Sequence, residues 1–222
     1  MGAIVPGWGI VRDDELDRHP HGTIDMHDGL VRSCNAYFAQ LAVRLGPQAL
    51  LETAMRVGIS VAPSNSLEQL RETLPQAGYG QGYVVTSPLR MARVAAAIAS
   101  SGVFRELRMD SHSPRSSEEA EDAPLLSPQA ASLLGQYLRD AVLDGTGRSL
   151  RNHPLKIAGK TGTAEIKGAP SHAWFVGFAP YGPARKRIAF AVIIENAGYG
   201  GLAAAPVAGE IVTAAASLGL IN

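Results

Sequence analysis

The stretch Lys160-Thr161-Gly162-Thr163 constrains this chain more than any other. It lies in residues 156–165, which read as a strand, and two more strand-like runs follow at 172–179 and 187–195. A lysine, two hydroxyls and a glycine on one strand edge make a site for an anionic ligand. The ammonium attracts a carboxylate, and the threonine hydroxyls donate hydrogen bonds to it. Gly162 has no side chain, so a ligand backbone can lie against the strand. A phosphate loop would need glycine five positions before Gly159, where Pro154 stands. Two readings remain for the four residues alone: an ordinary strand with a surface lysine, or one part of a site whose other parts lie upstream.

The 222 residues suffice for one domain with a sizeable core. Twenty basic and twenty acidic residues balance. The chain therefore lacks the positive excess expected of a nucleic-acid binder, and none is expected as a partner. Cys34 is the one cysteine, so no internal disulfide can form. The first residues show no basic segment leading into an apolar one, and no run is long enough to span a bilayer. Neither an export signal nor an anchor is expected in this sequence.

Residues 1–23 are rich in glycine, proline and charge and read as irregular. His19, His21 and His27, near Asp25 and Asp28, match no zinc spacing. They read as solvated loop histidines, and no metal or cofactor is expected. From Asp25, residues Leu30, Cys34, Tyr37, Phe38, Leu41 and Leu45 fall at helical spacing up to Gly46. A break near Ser33 would place two helices around Ser33-Cys34-Asn35. Another helix is expected over 47–57, then irregular chain with one short helix over 60–76. Gly78-Tyr79-Gly80-Gln81-Gly82 reads as a tight loop that lets backbone approach something. Ser87-Pro88 and Ser127-Pro128 each pair an N-cap with a proline at the first helical position. Residues 111–123 form an acidic loop, and a last helix opens at Ala205-Pro206. The sum is one α/β (α+β) domain, mostly helical, with a C-terminal strand cluster.

Ser33-Cys34-Asn35 fits S-x-N, one of three motifs of the penicillin-recognising serine enzymes; the others are S-x-x-K and K-T-G. The order matters more than any single box. Ser33-Cys34-Asn35-Ala36-Tyr37-Phe38 comes first, then Gly80-Gln81-Gly82 with Thr86-Ser87-Pro88-Leu89. Gly159-Lys160-Thr161-Gly162-Thr163-Ala164-Glu165 and Ala173-Trp174-Phe175-Val176-Gly177-Phe178 close the series. Together they resemble the transpeptidase domain of class B penicillin-binding proteins, the peptidoglycan D,D-transpeptidases. The resemblance implies the penicillin-binding/β-lactamase-like fold, an antiparallel sheet between helical layers beside an all-helical lobe. It assigns Lys160, Thr161, Gly162 and Thr163 to substrate binding, with the Thr163 N–H as an oxyanion donor. It assigns Ser33 and Asn35, with Lys160, to the catalytic machinery as proton relay and orienting groups. It implies D-Ala-D-Ala stem peptides and β-lactams as ligands, no cofactor, and a periplasmic workplace at the inner membrane for the full-length protein.

One motif is missing. The four lysines are Lys156, Lys160, Lys167 and Lys186, and three positions before them stand His153, Ile157, Ala164 and Pro183. No S-x-x-K occurs, so neither the family's serine nucleophile nor its lysine is in this sequence. Cys34, on a buried helical face, reads as packing rather than as a substitute. The expectation is an incomplete domain over 1–222: helical lobe, last three strands and C-terminal helix, inactive alone. An upstream fragment of the same domain is then the partner to look for. The alternative is a non-catalytic pseudoenzyme that binds stem peptide or a partner protein.

Overall fold

The computed structural model describes residues 2–13, 19–105 and 123–222. The chain opens on a hairpin. Strands β1 (Gly2–Val5) and β2 (Gly9–Arg12) pair antiparallel, with Ile4 opposite Ile10. Gly7 in the connection and Gly9 at the start of β2 both take positive φ, where a side chain would be strained. This corrects the expectation of irregular chain for residues 2–12; residues 19–23 form no helix or strand, and 14–18 lie outside the described residues. Val5 and Val11 are buried against Ala39, so the two short strands have an apolar face to cover.

Helix α1 (Met26–Arg32) ends at Ser33, which adopts the left-handed conformation. Helix α2 (Asn35–Leu45) starts immediately after, capped by the Cys34 sulfur, which accepts from the Tyr37 N–H at 3.4 Å. The predicted break at Ser33 is therefore present. Helix α3 (Pro47–Arg56) follows Gly46 as expected. Residues 60–76 are more ordered than expected: α4 (Leu67–Glu72) and α5 (Leu74–Gly78) stand there, and Ser66 caps α4 through the Gln69 N–H. Leu51, Leu70, Leu74 and Ala77 form the core of this helical lobe.

Helix α6 (Pro88–Ala99) and helix α7 (Pro128–Leu143) begin at the two predicted Ser-Pro sites, flanking the short pair β3 (Val103–Phe104) and β4 (Ala123–Pro124). Ser87 and Ser127 accept from the N–H of Arg90 and Ala130. The acidic loop expected at 111–123 lies outside the described residues, apart from the β4 residue Ala123.

The main sheet is antiparallel, ordered β5 (Ala158–Ile166), β6 (Ala169–Ala179), β7 (Ile188–Ile194). Helix α8 (Ala204–Ser217) closes the chain. Alternation along β6 sends Ala173, Phe175 and Ala179 into the core shared with α8. Phe178 turns the other way, onto Leu138 of α7 and Ile98 of α6. The sheet thus lies between helical layers, as the resemblance implied. Among the described residues, no strand pairs with the outer side of β7 or of β5. No helix of the described residues is long and apolar enough to cross a membrane.

Candidate functional site

Lys160, Thr161, Gly162 and Thr163 occupy the middle of β5, opposite Val176, Phe175, Trp174 and Ala173 of β6. Because β5 has no outer strand partner among the described residues, half of its backbone groups face outward. Side chains meet two of them. The Lys160 Nζ donates to the Thr161 carbonyl at 3.1 Å, and the Gln81 Nε2 donates to the Thr163 carbonyl at 3.1 Å. The glycine loop at 78–82 therefore approaches β5, with Gly80 and Gly82 at positive φ. Tyr79, from the same loop, has its pKa raised by burial and by the nearby Glu165 of β5.

The Lys160 ammonium is held by neutral oxygens. Besides the Thr161 carbonyl, it donates to the hydroxyl oxygens of Thr146 at 3.2 Å and Thr161 at 3.4 Å. The Thr161 hydroxyl in turn donates to Thr146 Oγ1. Burial lowers the Lys160 pKa to about 8, because the charged form loses solvation. Chemically, a cation beside two hydroxyls on a strand edge can bind an anionic hydrogen-bond acceptor.

Ser33 is exposed at the left-handed turn between α1 and α2. Asn35 begins α2, and its Nδ2 donates to the Arg12 carbonyl at 3.2 Å, tying the hairpin to the helix. No hydrogen bond joins Ser33 or Asn35 directly to Lys160 among the described residues. The connection runs through the turn at 145–147. A Cβ on Gly145 would lie 2.4 Å from the Val31 carbonyl oxygen, so this turn presses against the end of α1, two residues before Ser33. Thr146, next in the chain, reaches Lys160 and Thr161. The Gly145-Thr146-Gly147 turn plays no part in the expectations drawn above from the sequence. Its flanking glycines were the available signal of close approach.

A second cluster lies under the Ser33 turn. Asp13, His21 and Cys34 bring an oxygen, a nitrogen and a sulfur within 4.8 Å of one another. The His21 and Asp13 side chains are each only 7% exposed, with Nδ1 3.7 Å from Oδ2. This corrects the reading of His21 as a solvated loop residue. The other Asp13 oxygen accepts from the Ala36 N–H at 3.3 Å, at the start of α2. Burial pushes the Cys34 thiol up to about 11, and the Asp13 carboxylate adds to the rise. Sulfur, imidazole and carboxylate are a donor set that suits zinc, which would require the thiol to lose its proton. Through the Ala36 N–H, Asp13 braces the end of the hairpin against the start of α2.

The sequence matches the family described as the penicillin binding protein transpeptidase domain over residues 6–213. It is 29% identical over 220 residues to the peptidoglycan D,D-transpeptidase PbpA of Mycobacterium tuberculosis, covering 87% of this chain and 44% of the relative. The D,D-transpeptidase domain of a peptidoglycan glycosyltransferase from Eggerthella lenta superposes with a TM-score of 0.73 at 26% identity. That match covers 92% of this chain and 56% of the other. Penicillin-binding protein A of M. tuberculosis, solved as an imipenem acyl-enzyme complex, gives a TM-score of 0.71 at 26% identity, covering 95% and 53%. The chain thus spans about half the length of the curated relatives and solved structures it matches. By sequence over nearly its whole length, and by fold, the chain belongs to the penicillin-binding protein transpeptidase domain family.

Proposed function

We propose that this chain is the carboxylate-recognition part of a peptidoglycan D,D-transpeptidase domain that acts on the extracytoplasmic side of the membrane. The observation that carries the reading is the gathering of the Lys160 ammonium and the Thr161 hydroxyl at the edge of β5, which no strand of the described residues covers. The terminal carboxylate of a D-Ala-D-Ala stem peptide, or the equivalent group of a β-lactam, binds there as a charge-assisted acceptor. The ligand backbone runs along the edge beside Gly162, and the Thr163 N–H supports the developing oxyanion. Ser33 and Asn35 serve proton relay and orientation at the leaving nitrogen. The attack itself needs the serine and lysine of S-x-x-K, a motif that does not occur in this sequence. The partner that completes the reaction is the part of the domain that bears them.

Calorimetry with an N-acylated D-Ala-D-Ala peptide tests the reading. Lys160→Ala should weaken binding by about 1.5–3 kcal/mol, the loss of a charged hydrogen bond. Lys167→Ala, in the turn between β5 and β6, should change it little. Equal losses would mean that general charge, rather than a site, attracts the peptide.

A further inference from the structure

Alternation along a strand sends neighbouring side chains to opposite faces. Lys160 follows Ala158 onto the face that meets α7, while Thr161 lies on the face toward Gly201, whose added Cβ would stand 3.7 Å from Thr161 Cγ2. Left alone, their polar ends would diverge. In the structure they meet, and the atom at which they meet is Thr146 Oγ1. That oxygen is hydrogen-bonded to both.

We propose that Thr146 is a positioning residue for the carboxylate site, its hydroxyl drawing the Lys160 ammonium and the Thr161 hydroxyl together at the open edge of β5. The inference deepens the carboxylate reading and rests on it for the ligand, though not for the contact itself.

Thr146 is held in place from both sides. Gly145 lies against the Val31 carbonyl of α1, and its added Cβ would also fall 2.8 Å from the Ala141 carbonyl of α7. The Gly147 N–H donates to that same Ala141 carbonyl at 3.0 Å. On the far side, a Cβ on Gly201 would come within 2.6 Å of the Thr146 carbonyl oxygen. Bulk is therefore excluded on three sides of the turn, and the hydroxyl has a fixed origin from which to reach β5. The same turn abuts the helix that ends at Ser33, so displacement of either motif is felt by the other.

The physical consequence is specific. Lys160 has lost solvation, and Thr146 is one of three oxygens that stabilise its charged form. Losing that acceptor should lower the Lys160 pKa further, so less of it is charged at neutral pH. A carboxylate binds the protonated lysine, so affinity should fall as pH rises through the Lys160 pKa. In the variant this fall should begin at lower pH.

Thr146→Val removes the hydroxyl at similar volume, and Thr146→Ser keeps it. Two readouts are needed: the Lys160 titration midpoint by NMR of ¹³Cε-labelled lysine without ligand, and the pH profile of D-Ala-D-Ala peptide affinity. We expect the valine variant to move both midpoints to lower pH and to bind about tenfold more weakly at pH 7.5. The serine variant should match the parent chain within about twofold. A valine variant with an unmoved Lys160 midpoint would overturn the proposal, as would a serine variant as defective as the valine one. If the parent chain binds no peptide but valine still moves the Lys160 midpoint, Thr146 stands as the positioning residue and the carboxylate reading fails.

Discussion

A fluorescent penicillin should leave this chain unlabelled on a denaturing gel, and its intact mass should be unchanged. Acylation needs a nucleophile made potent by a neighbouring base. No serine stands three positions before any of the four lysines. Cys34 offers no substitute: it is buried, and a thiol titrating at about 11 carries almost no thiolate at neutral pH. Removing a nucleophile of this kind costs about a millionfold in rate, so the expected labelling is none on the timescale of an ordinary assay. A stoichiometric adduct on Ser33, Cys34 or any other side chain would show that the chain carries out its chemistry by another route.

The second large effect is on stability. Phe175 is fully buried at the centre of β6 and stacks on Phe190 of β7, with ring centroids 6.2 Å apart. Its ring also fills the space left by Gly159, where an added Cβ would stand 2.6 Å from the Phe175 ring. Phe175 therefore sets the height of the strand residue immediately before Lys160. Phe175→Ala should cost about 3–5 kcal/mol, from lost burial and the cavity left behind. For a domain stable by about 5–15 kcal/mol this is a large share, and Lys160 should lose its fixed place with it. Urea unfolding of the two chains gives the number. A loss below about 1 kcal/mol would mean that the sheet is not packed as described.

The parts of the fold that rest on local chemistry were legible. The Ser-Pro caps placed α6 and α7, glycine ended α2, and the serine before Cys34 marked the break between α1 and α2. The N-terminal hairpin was missed although its connection holds Pro6 and Gly7, a turn signal, between runs of valine and isoleucine. Four-residue strands give periodicity too little length to register. The arrangement of the candidate site residues was legible only in part. Lys160 and Thr161 stood out because a cation beside a hydroxyl has an evident use. Thr146 did not, because its role arises from tertiary contact between a turn and a strand edge. His21 and Asp13 meet Cys34 for the same reason, across spacings that match no sequence pattern.

The central claim is that the edge of β5 at Lys160 to Thr163 binds a carboxylate-ended peptide. Backbone amide chemical shifts, followed while an N-acylated D-Ala-D-Ala peptide is added, test it most directly. The account predicts saturable shifts centred on Thr161, Gly162 and Thr163, with smaller ones at Thr146 and Gln81, whose side chains touch the same edge. Shifts that fail to saturate, or that centre elsewhere on the chain while β5 stays unchanged, would contradict it.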